Sequence, residues 1–562
     1  MGEFMKLVPP DAHPDLIFAK MCETIGEPPL MLVDFRPINK PTILVTDHEI
    51  MEQISKASKK YPASVPKIDF SHFRPLLDDT SILAVDYDEW KPLRQRFSPG
   101  FAPQHLLTLL PAILEEANDF IAILDDYAKT GQGFPLMNLI MNLTFDVIGA
   151  VAIGVKLNSQ SKDHPGELIQ LFQQLLKTYL DDKADLPWWV VPHVALKRKI
   201  YGKRIDRIIH SIIRDKWSEW KKSSSSSFSN TKDRSILSLS FQEHAGADKK
   251  TLSPAEVTST SDQLKTFLLA GHDTTSTAVS WIIYELSLSP RVLSLVRDEL
   301  VSIFGGSISN REHIKSYLLA NPTLLNEMKY SSLVIRETLR LHPPTGSART
   351  SYSNFTVTTP DGIEHNLDDA IIYMCNAIAQ RDTSVYGKDA HEFRPERWTS
   401  EEAKNYPASA YRPFERGPRG CIGQEFAMIE IKTILAIGVG RYDFVKVGLG
   451  EPELELSGNA VMGEDGRLKV RARLMVLGIQ SAITPRGGCY VTPEHKPLKA
   501  VGIDVGSTQC ETLLQMQDNQ PLTPTSSTSS CSLMIPSDCV YPKGDSRISE
   551  VPFVTKGNAR YL

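Results

Sequence analysis

The sequence predicts a mainly α-helical protein with small β-sheets, folded as a single domain. Helical periodicity runs from about residue 47 to residue 222, and a long apolar segment covers residues 261–289. Strand-like alternation is confined to short stretches before and after these helices. Hydrophobic residues make up 41% of the chain and charged residues 23%, which are ordinary values for a globular protein.

The predicted elements can be followed in order along the chain. Near the amino end, two stretches alternate apolar and polar residues as strands do, "MLVDFRP" and "TILVTD". Residues 166–182 place four leucines near one stripe of a helix: Leu168, Leu171, Leu175 and Leu180. Helices continue to Leu341, short strands follow in "NFTVTT" and "AIIYMCNAIAQ", and a last helix covers about residues 423–439.

Composition divides the chain into three segments. Residues 1–32 are expected to form an amino-terminal segment without a transmembrane anchor, because the chain has no apolar run of about 18 residues. Residues 33–484 form the predicted folded domain. Residues 485–562 are rich in Pro, Ser and Thr and lack periodicity, so we expect a disordered tail.

Charge and cysteine usage exclude several classes of protein. The net charge of -5 comes from mixed signs, with no basic excess that would suggest a nucleic-acid partner. The seven cysteines are scattered and form no CxxC pair, which argues against a disulfide framework and a structural zinc site. A reducing, intracellular setting fits this cysteine usage best.

The stretch "RPFERGPRGCIGQEFAMIEIK" (412–432) sets one cysteine just before a predicted helix. Gly417 and Gly423 flank Cys421 and would let a flat ligand approach the backbone. Free N–H groups and the dipole at the helix start favour a thiolate over a thiol. Taken alone, however, Cys421 is more readily explained as a buried structural cysteine.

The pattern Phe414-x-x-Gly417-x-Arg419-x-Cys421-x-Gly423 resembles the haem-binding signature of the cytochrome P450 monooxygenases, and all its fixed positions match. The resemblance implies the family's fold, a triangular helical prism around a buried haem. It also implies haem b as cofactor, with Cys421 as the axial thiolate on iron. Phe414 would shield the sulfur and Arg419 would add positive charge, and the likeness extends over residues 33–480.

A second motif, "LAGHDTTS" (269–276), interrupts an apolar helix. An ordinary helix with satisfied threonines would explain it alone. In this order it resembles the family's long-helix signature, which implies that Asp273 and Thr274 are the acid and the alcohol that relay protons. His272 occupies the variable position of the signature, and a structural role is the better reading of it.

Two further motifs, "ETLR" (337–340) and "EFRPERW" (392–398), match the family in the same order. Alone, the Glu–Arg spacing is common and is usually a solvated pair. The resemblance implies a buried ionic triad of Glu337, Arg340 and Arg397 that fixes the loop carrying Cys421, a structural rather than a catalytic role. Trp398 replaces the commoner Phe, and no mechanistic consequence follows from the sequence.

Haem carries two propionates, which need cationic or N–H donors. "WKPLR" (90–94) is similar to the family's Trp-x-x-x-Arg, which makes Trp90 and Arg94 candidate donors. Arg349 and Arg419 are the other candidates. A plain surface arginine is the alternative explanation of Arg349.

The resemblance implies a monooxygenase that inserts one oxygen atom of O2 into a hydrophobic organic substrate, by hydroxylation, epoxidation or a related oxidation. The Cys421 stretch is most similar to fungal microsomal members that act in secondary metabolism. No flavin or nicotinamide fingerprint is visible, so electrons would come from an NADPH–cytochrome P450 reductase, with cytochrome b5 as a second donor.

Two other functions stay open. A haem-thiolate isomerase, dehydratase or peroxygenase would need no reductase, but such enzymes have less use for the intact Asp273–Thr274 pair. A non-catalytic haem-binding protein would not need five intact motifs.

The stretch 186–204 combines a tryptophan-rich apolar loop with six basic residues, a composition that suits peripheral membrane contact. A loop packed on its own domain explains the stretch equally well. The expected location is the cytosolic face of the endoplasmic reticulum if the protein contacts a membrane, and the cytoplasm otherwise.

Overall fold

Helices dominate the architecture, as the periodicity predicts. The structure is a computed structural model and describes residues 14–36, 39–130, 134–180, 190–225, 233–244, 250–352, 354–399, 401–444, 461–463 and 466–469. Its helices in these ranges are α1 (Pro14–Thr24), α2 (His48–Ser55), α3 (Tyr87–Phe97), α4 (Pro103–Leu107), α5 (Leu110–Thr130), α6 (Leu136–Ile148), α7 (Glu167–Leu180), α8 (Pro192–Ser225), α9 (Ile236–Ser240), α10 (Pro254–Ser287), α11 (Pro290–Phe304), α12 (Arg311–Ala320), α13 (Lys329–Leu341), α14 (Asn376–Ala379), α15 (Thr383–Tyr386) and α16 (Gln424–Gly438).

The 34-residue helix α10 has neighbours on all sides. Ser253 caps its start, and the Ser253 and Glu256 side chains bond each other's backbone amides in a capping box. Helices α6, α8, α13 and α16 pack against it. Most of its side chains are therefore buried, including a run of polar ones between residues 260 and 266.

A four-stranded sheet lies beside the helices, with strands in the order β1 (Leu30–Val33), β2 (Thr42–Val45), β6 (Ile371–Met374) and β3 (Ser347–Thr350). β2 and β6 are parallel, and the other pairs are antiparallel. A separate hairpin pairs β4 (Thr356–Thr358) with β5 (Glu364–Asn366). The strand predicted in "AIIYMCNAIAQ" is correct only in its first half, because the chain turns into α14 after Cys375.

The described part of the amino-terminal segment packs with this sheet. Phe18 and Cys22 of α1 lie in an apolar cluster with Tyr373, whose hydroxyl donates to Asp15 at 2.7 Å. β1 begins at Leu30, inside the predicted 1–32 segment. The predicted tail, 485–562, lies outside the described residues.

One segment, Leu136–Ile153, is long and apolar enough to cross a membrane, which corrects the expectation that none would qualify. Its polar residues, such as Asn142 and Asp146, interrupt the apolar run but leave the mean hydropathy at 1.8. Helices α10 and α11 meet the same test only as a pair bent by 111°. Of the Leu136–Ile153 segment, 72% is buried inside the protein, as in a core helix. It is the one such segment among the described residues.

Candidate active site

A cavity of about 470 Å³ lies between the middle of α10 and the start of α16. Its lining on the α16 side includes Phe414, Cys421, Ile422 and Gly423. Its lining on the α10 side includes Ala270, Gly271, Asp273 and Thr274. Two motifs that lie about 150 residues apart in the sequence therefore face each other across one space.

Cys421 lines this cavity, and its amide donates to the Phe414 carbonyl at 2.9 Å. Its exposed surface is cavity surface, since protein encloses the residue on its other sides. Burial raises the pKa of the Cys421 thiol, and the Gly423 amide, Arg94 and Lys67 oppose this only in part. The helix start therefore does not ionise the thiol by itself, whereas a bound metal cation would.

The Cys loop, residues 412–423, is docked on helix α2. Arg412 is fully buried and donates to Glu52 Oε2 at 2.9 Å and to Ser55 Oγ at 2.6 Å. Glu52 also accepts from Arg416 at 2.9 Å. Gly417 has φ 74°, and a Cβ there would lie 2.1 Å from the Ser55 carbonyl oxygen. Gly417 thus permits the close approach to α2, rather than the approach of a flat ligand that the sequence suggested.

Gly423 lies beside the sulfur. A Cβ at this position would be 3.8 Å from Cys421 Sγ and 4.0 Å from a ring carbon of Phe101, which are ordinary contact distances. Gly423 lines the cavity and precedes the first residue of α16. Its place next to Cys421 leaves the sulfur accessible from the cavity.

The structure brings Glu337, Arg340 and Arg397 together with no exposed side-chain surface. Glu337 accepts from Arg340 at 2.8 and 3.0 Å and from Arg397 at 2.8 Å. The Trp398 indole N–H also donates to Glu337, at 3.0 Å. Sequence reasoning gave Trp398 no role, although an indole offers the donor that a phenyl ring lacks.

Gln380 connects this ionic group to the Cys loop. Arg340 Nη1 donates to the Gln380 carbonyl at 2.9 Å, and the Gln380 side chain donates to the Arg340 carbonyl at 3.1 Å. Gln380 Oε1 in turn accepts from the Arg412 amide at 2.7 Å. The loop is therefore fixed to α13 on one side and to α2 on the other.

Four cationic side chains surround one edge of the cavity: Lys67, Arg94, Arg349 and Arg419. Burial lowers the pKa of each, to about 10 for Arg349 and Arg419 and well below the usual range for Lys67. Arg349 is fully buried, and its Nε and Nη2 have no hydrogen-bond partner among the described residues. A buried guanidinium group with unpaired N–H donors is an anion site, and a haem propionate fits it.

Trp90 and Arg94 stand behind this edge and do not line the cavity. Arg94 donates to the Gly420 carbonyl at 2.9 Å, next to Cys421. Arg419 lies over the Trp90 ring, 5.1 Å from its centroid, and donates to the Val85 carbonyl at 2.9 Å. Of the four residues that the sequence assigned to propionates, only Arg419 is in the cavity lining.

Lys67 is a member of the cationic edge that sequence reasoning missed. It lines the cavity, pairs with Arg349 in an isolated β-bridge, and donates to Ser347 Oγ at 3.0 Å. The sequence offers one signal for it, a lysine within the stretch "SVPKIDF", but no motif names this residue.

Asp273 and Thr274 line the cavity from α10, opposite the Cys loop. Thr274 Oγ1 donates to the Ala270 carbonyl at 2.7 Å, and the helix continues without a break. Burial raises the pKa of Asp273 to about 7, so the carboxyl group exchanges a proton near neutral pH. A neutral acid and a hydroxyl are therefore adjacent on one wall.

His272 is directed away from the cavity. It stacks on Phe145 of α6 at a centroid distance of 3.7 Å, and its Nδ1 bonds the Leu268 carbonyl at 2.7 Å. Burial lowers the pKa of His272 to about 4, so the ring is neutral. These contacts agree with the structural reading of the sequence.

The part of the cavity above Cys421 is apolar and aromatic. Part of this lining comes from the roof loop, residues 68–83, and its members include Phe70, Phe73, Leu76, Leu77 and Leu83. Phe73 stacks with Tyr179 of α7 at 6.0 Å, and the Tyr179 hydroxyl donates to the Arg74 carbonyl at 2.6 Å. An uncharged, largely hydrophobic ligand would match this surface.

Polar side chains of α10 anchor the roof loop. Lys265 is 2% exposed and contacts Asp78 of the loop, Asp206 of α8 at 2.8 Å and Asp262 at 3.2 Å. Thr80 donates to Asp262 at 2.5 Å. The Ser81 and Thr266 hydroxyls are 2.8 Å apart, and Gln263 Oε1 accepts from the Ile82 amide at 2.7 Å. These contacts explain why polar residues occupy a buried face of α10.

Comparison with known proteins agrees with this geometry. A family model described as Cytochrome P450 matches residues 6–470, which begins ahead of the Val33 expected from the motifs. Cytochrome P450 monooxygenase acrF of Aspergillus aculeatus is 30% identical over 462 residues, 78% of this chain and 88% of that protein. Cytochrome P450 monooxygenase polC of Polytolypa hystricis is 26% identical over 427 residues, 73% of this chain and 72% of that protein.

A further similar protein joins two functions in one chain. It is the bifunctional cytochrome P450/NADPH–P450 reductase ALT2 of Alternaria alternata, 25% identical over 460 residues. The match covers 80% of this chain and 37% of that protein.

Proposed function

The chain belongs to the cytochrome P450 family, and from this premise we propose that its cavity binds haem b through Cys421 and oxidises a hydrophobic small molecule with O2. Monooxygenase activity is the enzyme class of the family and of its named relatives. The observation that carries the proposal is the shared cavity, in which Cys421 faces the Asp273–Thr274 wall.

Several residues of this chain would hold haem together, each at a different part of the cofactor. Cys421 would supply the thiolate that holds the iron, and Phe414 and Gly423 would lie beside the sulfur. Arg349, Arg419 and Lys67 would hold the propionates, while Trp90 and Arg94 would support them from behind. When bound, haem supplies the activation of O2, which thiolate ligation promotes.

The wall opposite Cys421 would handle protons. Asp273, with a pKa raised to about 7, can hold a proton at its carboxyl oxygen near neutral pH and give it to the cavity. The Thr274 hydroxyl beside it donates to the Ala270 carbonyl, so it can accept a hydrogen bond from the cavity and can donate one there only by releasing that carbonyl. Apolar side chains of the roof loop exclude bulk water, so that protons arrive chiefly through these two groups.

The substrate that we propose is an uncharged organic molecule with aromatic or aliphatic surface. The roof loop and Tyr179 offer rings and methyl groups above Cys421. Similarity to P450 monooxygenases of two fungi supports a place in fungal secondary metabolism. The reaction would be a hydroxylation, an epoxidation or a related oxidation.

Electrons would come from a separate NADPH–cytochrome P450 reductase, with cytochrome b5 as a second donor. The name of the fused relative, which couples a P450 to such a reductase, supports this source. Product analysis with candidate hydrophobic substrates, NADPH and a reductase tests it. Product formed without NADPH and reductase would favour the isomerase, dehydratase or peroxygenase alternative.

Peripheral contact with a membrane is part of the proposal, and it would place the protein on the cytosolic face of the endoplasmic reticulum. In the described part of the 186–204 stretch, Leu196 and Ile200 of α8 are 58% and 47% exposed. Lys199 and Lys203 are exposed on the same turns. Residues 186–189, with both tryptophans, lie outside the described residues. Apolar side chains bordered by lysines suit the interface of a bilayer.

The absorption spectrum of the reduced, CO-bound protein tests the iron ligand. A thiolate ligand should give a strongly red-shifted Soret band, and Cys421→Ala should lose it. Cys22→Ala, which changes a buried cysteine in the apolar cluster with Phe18 and Tyr373, is the matched control and should keep the band. A Cys421→Ala protein that retains the band would refute the proposal.

A further inference from the structure

Glu415 is a charged residue inside the Cys loop, at a position that the haem-binding signature leaves open. It has φ 58°, a left-handed conformation that is unfavourable for a residue other than glycine. Contacts with neighbouring residues must therefore hold it in place. Glu415 also lines the cavity.

The hydrogen bonds of one carboxylate oxygen, Oε1, fix the position of the Glu415 side chain. It accepts hydrogen bonds from Arg412 Nη2, from the Arg416 amide at 3.0 Å and from Ser55 Oγ at 3.2 Å. These donors belong to the Cys loop and to α2. Oε1 is thus bonded on the side away from the cavity.

The second oxygen, Oε2, is buried and has no hydrogen-bond partner among the described residues. It lies 3.9 Å from Arg349 Nη2, a nitrogen that is also without a partner there. The two groups therefore meet at the cationic edge, where the haem propionates would be held.

Glu415 carries its charge. Burial opposes ionisation, but Arg412, Arg349 and Lys67 outweigh it and hold the pKa of the Glu415 carboxyl below its ordinary value. Its carboxylate is therefore a negative charge beside Arg349, at the edge where the two propionates would lie.

We propose that Glu415 is a fixed negative charge at the edge of the haem site that lowers the reduction potential of the bound iron. The inference rests on the proposed function, because it needs haem in the cavity. Reduction adds an electron to the iron, and a carboxylate held in a poorly solvated site disfavours that addition. The side chain would tune the electron transfer without contacting the substrate.

The test is a spectroelectrochemical titration of the haem-loaded protein. Glu415→Gln removes the charge and keeps an acceptor oxygen for Arg412, so the midpoint potential should move to a more positive value. Glu415→Asp keeps the charge and should stay near the wild type. Arg349→Gln removes a cation from the same edge and should shift the potential in the opposite direction.

Glu52→Gln is the matched control. It removes a carboxylate from the same arginine, Arg412, but Glu52 does not line the cavity. An unchanged potential in Glu415→Gln would overturn the inference, and so would an equal shift in Glu52→Gln. Loss of the thiolate spectrum in Glu415→Gln alone would show a structural tether instead. A wild type without that spectrum would refute the proposed function and this inference with it, whereas a wild type with that spectrum and an unmoved potential in Glu415→Gln would refute this inference alone.

Discussion

At Asp273, the raised pKa and the proposed role in proton transfer can be tested separately. Its pKa of about 7 lies above the ordinary 3.8 because the carboxyl group is buried. The neutral acid therefore prevails below about pH 7, and the folded state loses stability as pH rises from about 4 to about 7. Above about pH 7 the fraction that can donate a proton falls.

We therefore expect product formed per NADPH consumed to decline as pH rises through about 7. Asp273→Asn cannot donate that proton, so turnover should fall on the order of 100-fold and this pH dependence should disappear. Measurement of product and NADPH across that range checks it. Asp88→Asn, on the exposed face of α3, is the control and should keep the wild-type profile. An Asp273→Asn enzyme with the wild-type profile would contradict the relay.

Residues with a local signature could be predicted from sequence, and residues joined only by folding could not. Cys421, Asp273 and Glu337 each lie in a motif that names them. Lys67 and Glu52 are hundreds of residues from the groups that they contact, and no spacing rule links them. The conformation of the Cys loop depends on these distant contacts, so it appears only in the structure.

At the scale of elements, α10 and α6 approach closely at Gly271. A Cβ at this position would lie 2.9 Å from Ile148 Cγ1, so the Ile148 side chain or one of the helices would have to shift. Gly271→Ala should therefore destabilise the protein by about 1–3 kcal/mol through overpacking. Denaturant unfolding of the haem-loaded protein measures this loss.

A second substitution supplies the control for Gly271→Ala. Ile148→Ala removes the atoms that would clash, so the double variant should be more stable than the sum of the two single losses predicts. Strict additivity would show that the two side chains do not meet, and the helix contact would need another explanation.

Some helix boundaries depend on features that the apolar periodicity does not report. The long helix was expected from residue 261, but it begins at Pro254 because Ser253 and Glu256 form a capping box that the apolar pattern does not report. In "AIIYMCNAIAQ" most residues are apolar, so length alone could not separate β6 from α14. The earlier start of α10 depends on a polar contact, which apolar spacing does not report.

At the scale of the whole molecule, the proposed contact with a bilayer depends on the outer face of α8. Leu196→Glu combined with Ile200→Glu would place carboxylates where apolar side chains would enter the interface, so binding to vesicles should be lost. Flotation with vesicles that contain anionic lipid measures this loss. Leu319→Glu, an exposed apolar residue on α12, should float like the wild type. A wild type that does not float would refute the membrane contact.

The anchored roof loop also has a consequence for directed changes of the enzyme. Its aromatic lining comes from residues 68–77, whereas its attachment to α10 depends on Asp78, Thr80, Ser81 and the Ile82 amide. The aromatic lining and the attachment to α10 thus come from adjacent pieces of chain, although Leu83 also lines the cavity and Tyr179 also holds the Arg74 carbonyl. A library confined to the first piece can vary what the pocket accepts while the second piece keeps the loop in register, which makes this segment an exchangeable module for altered selectivity.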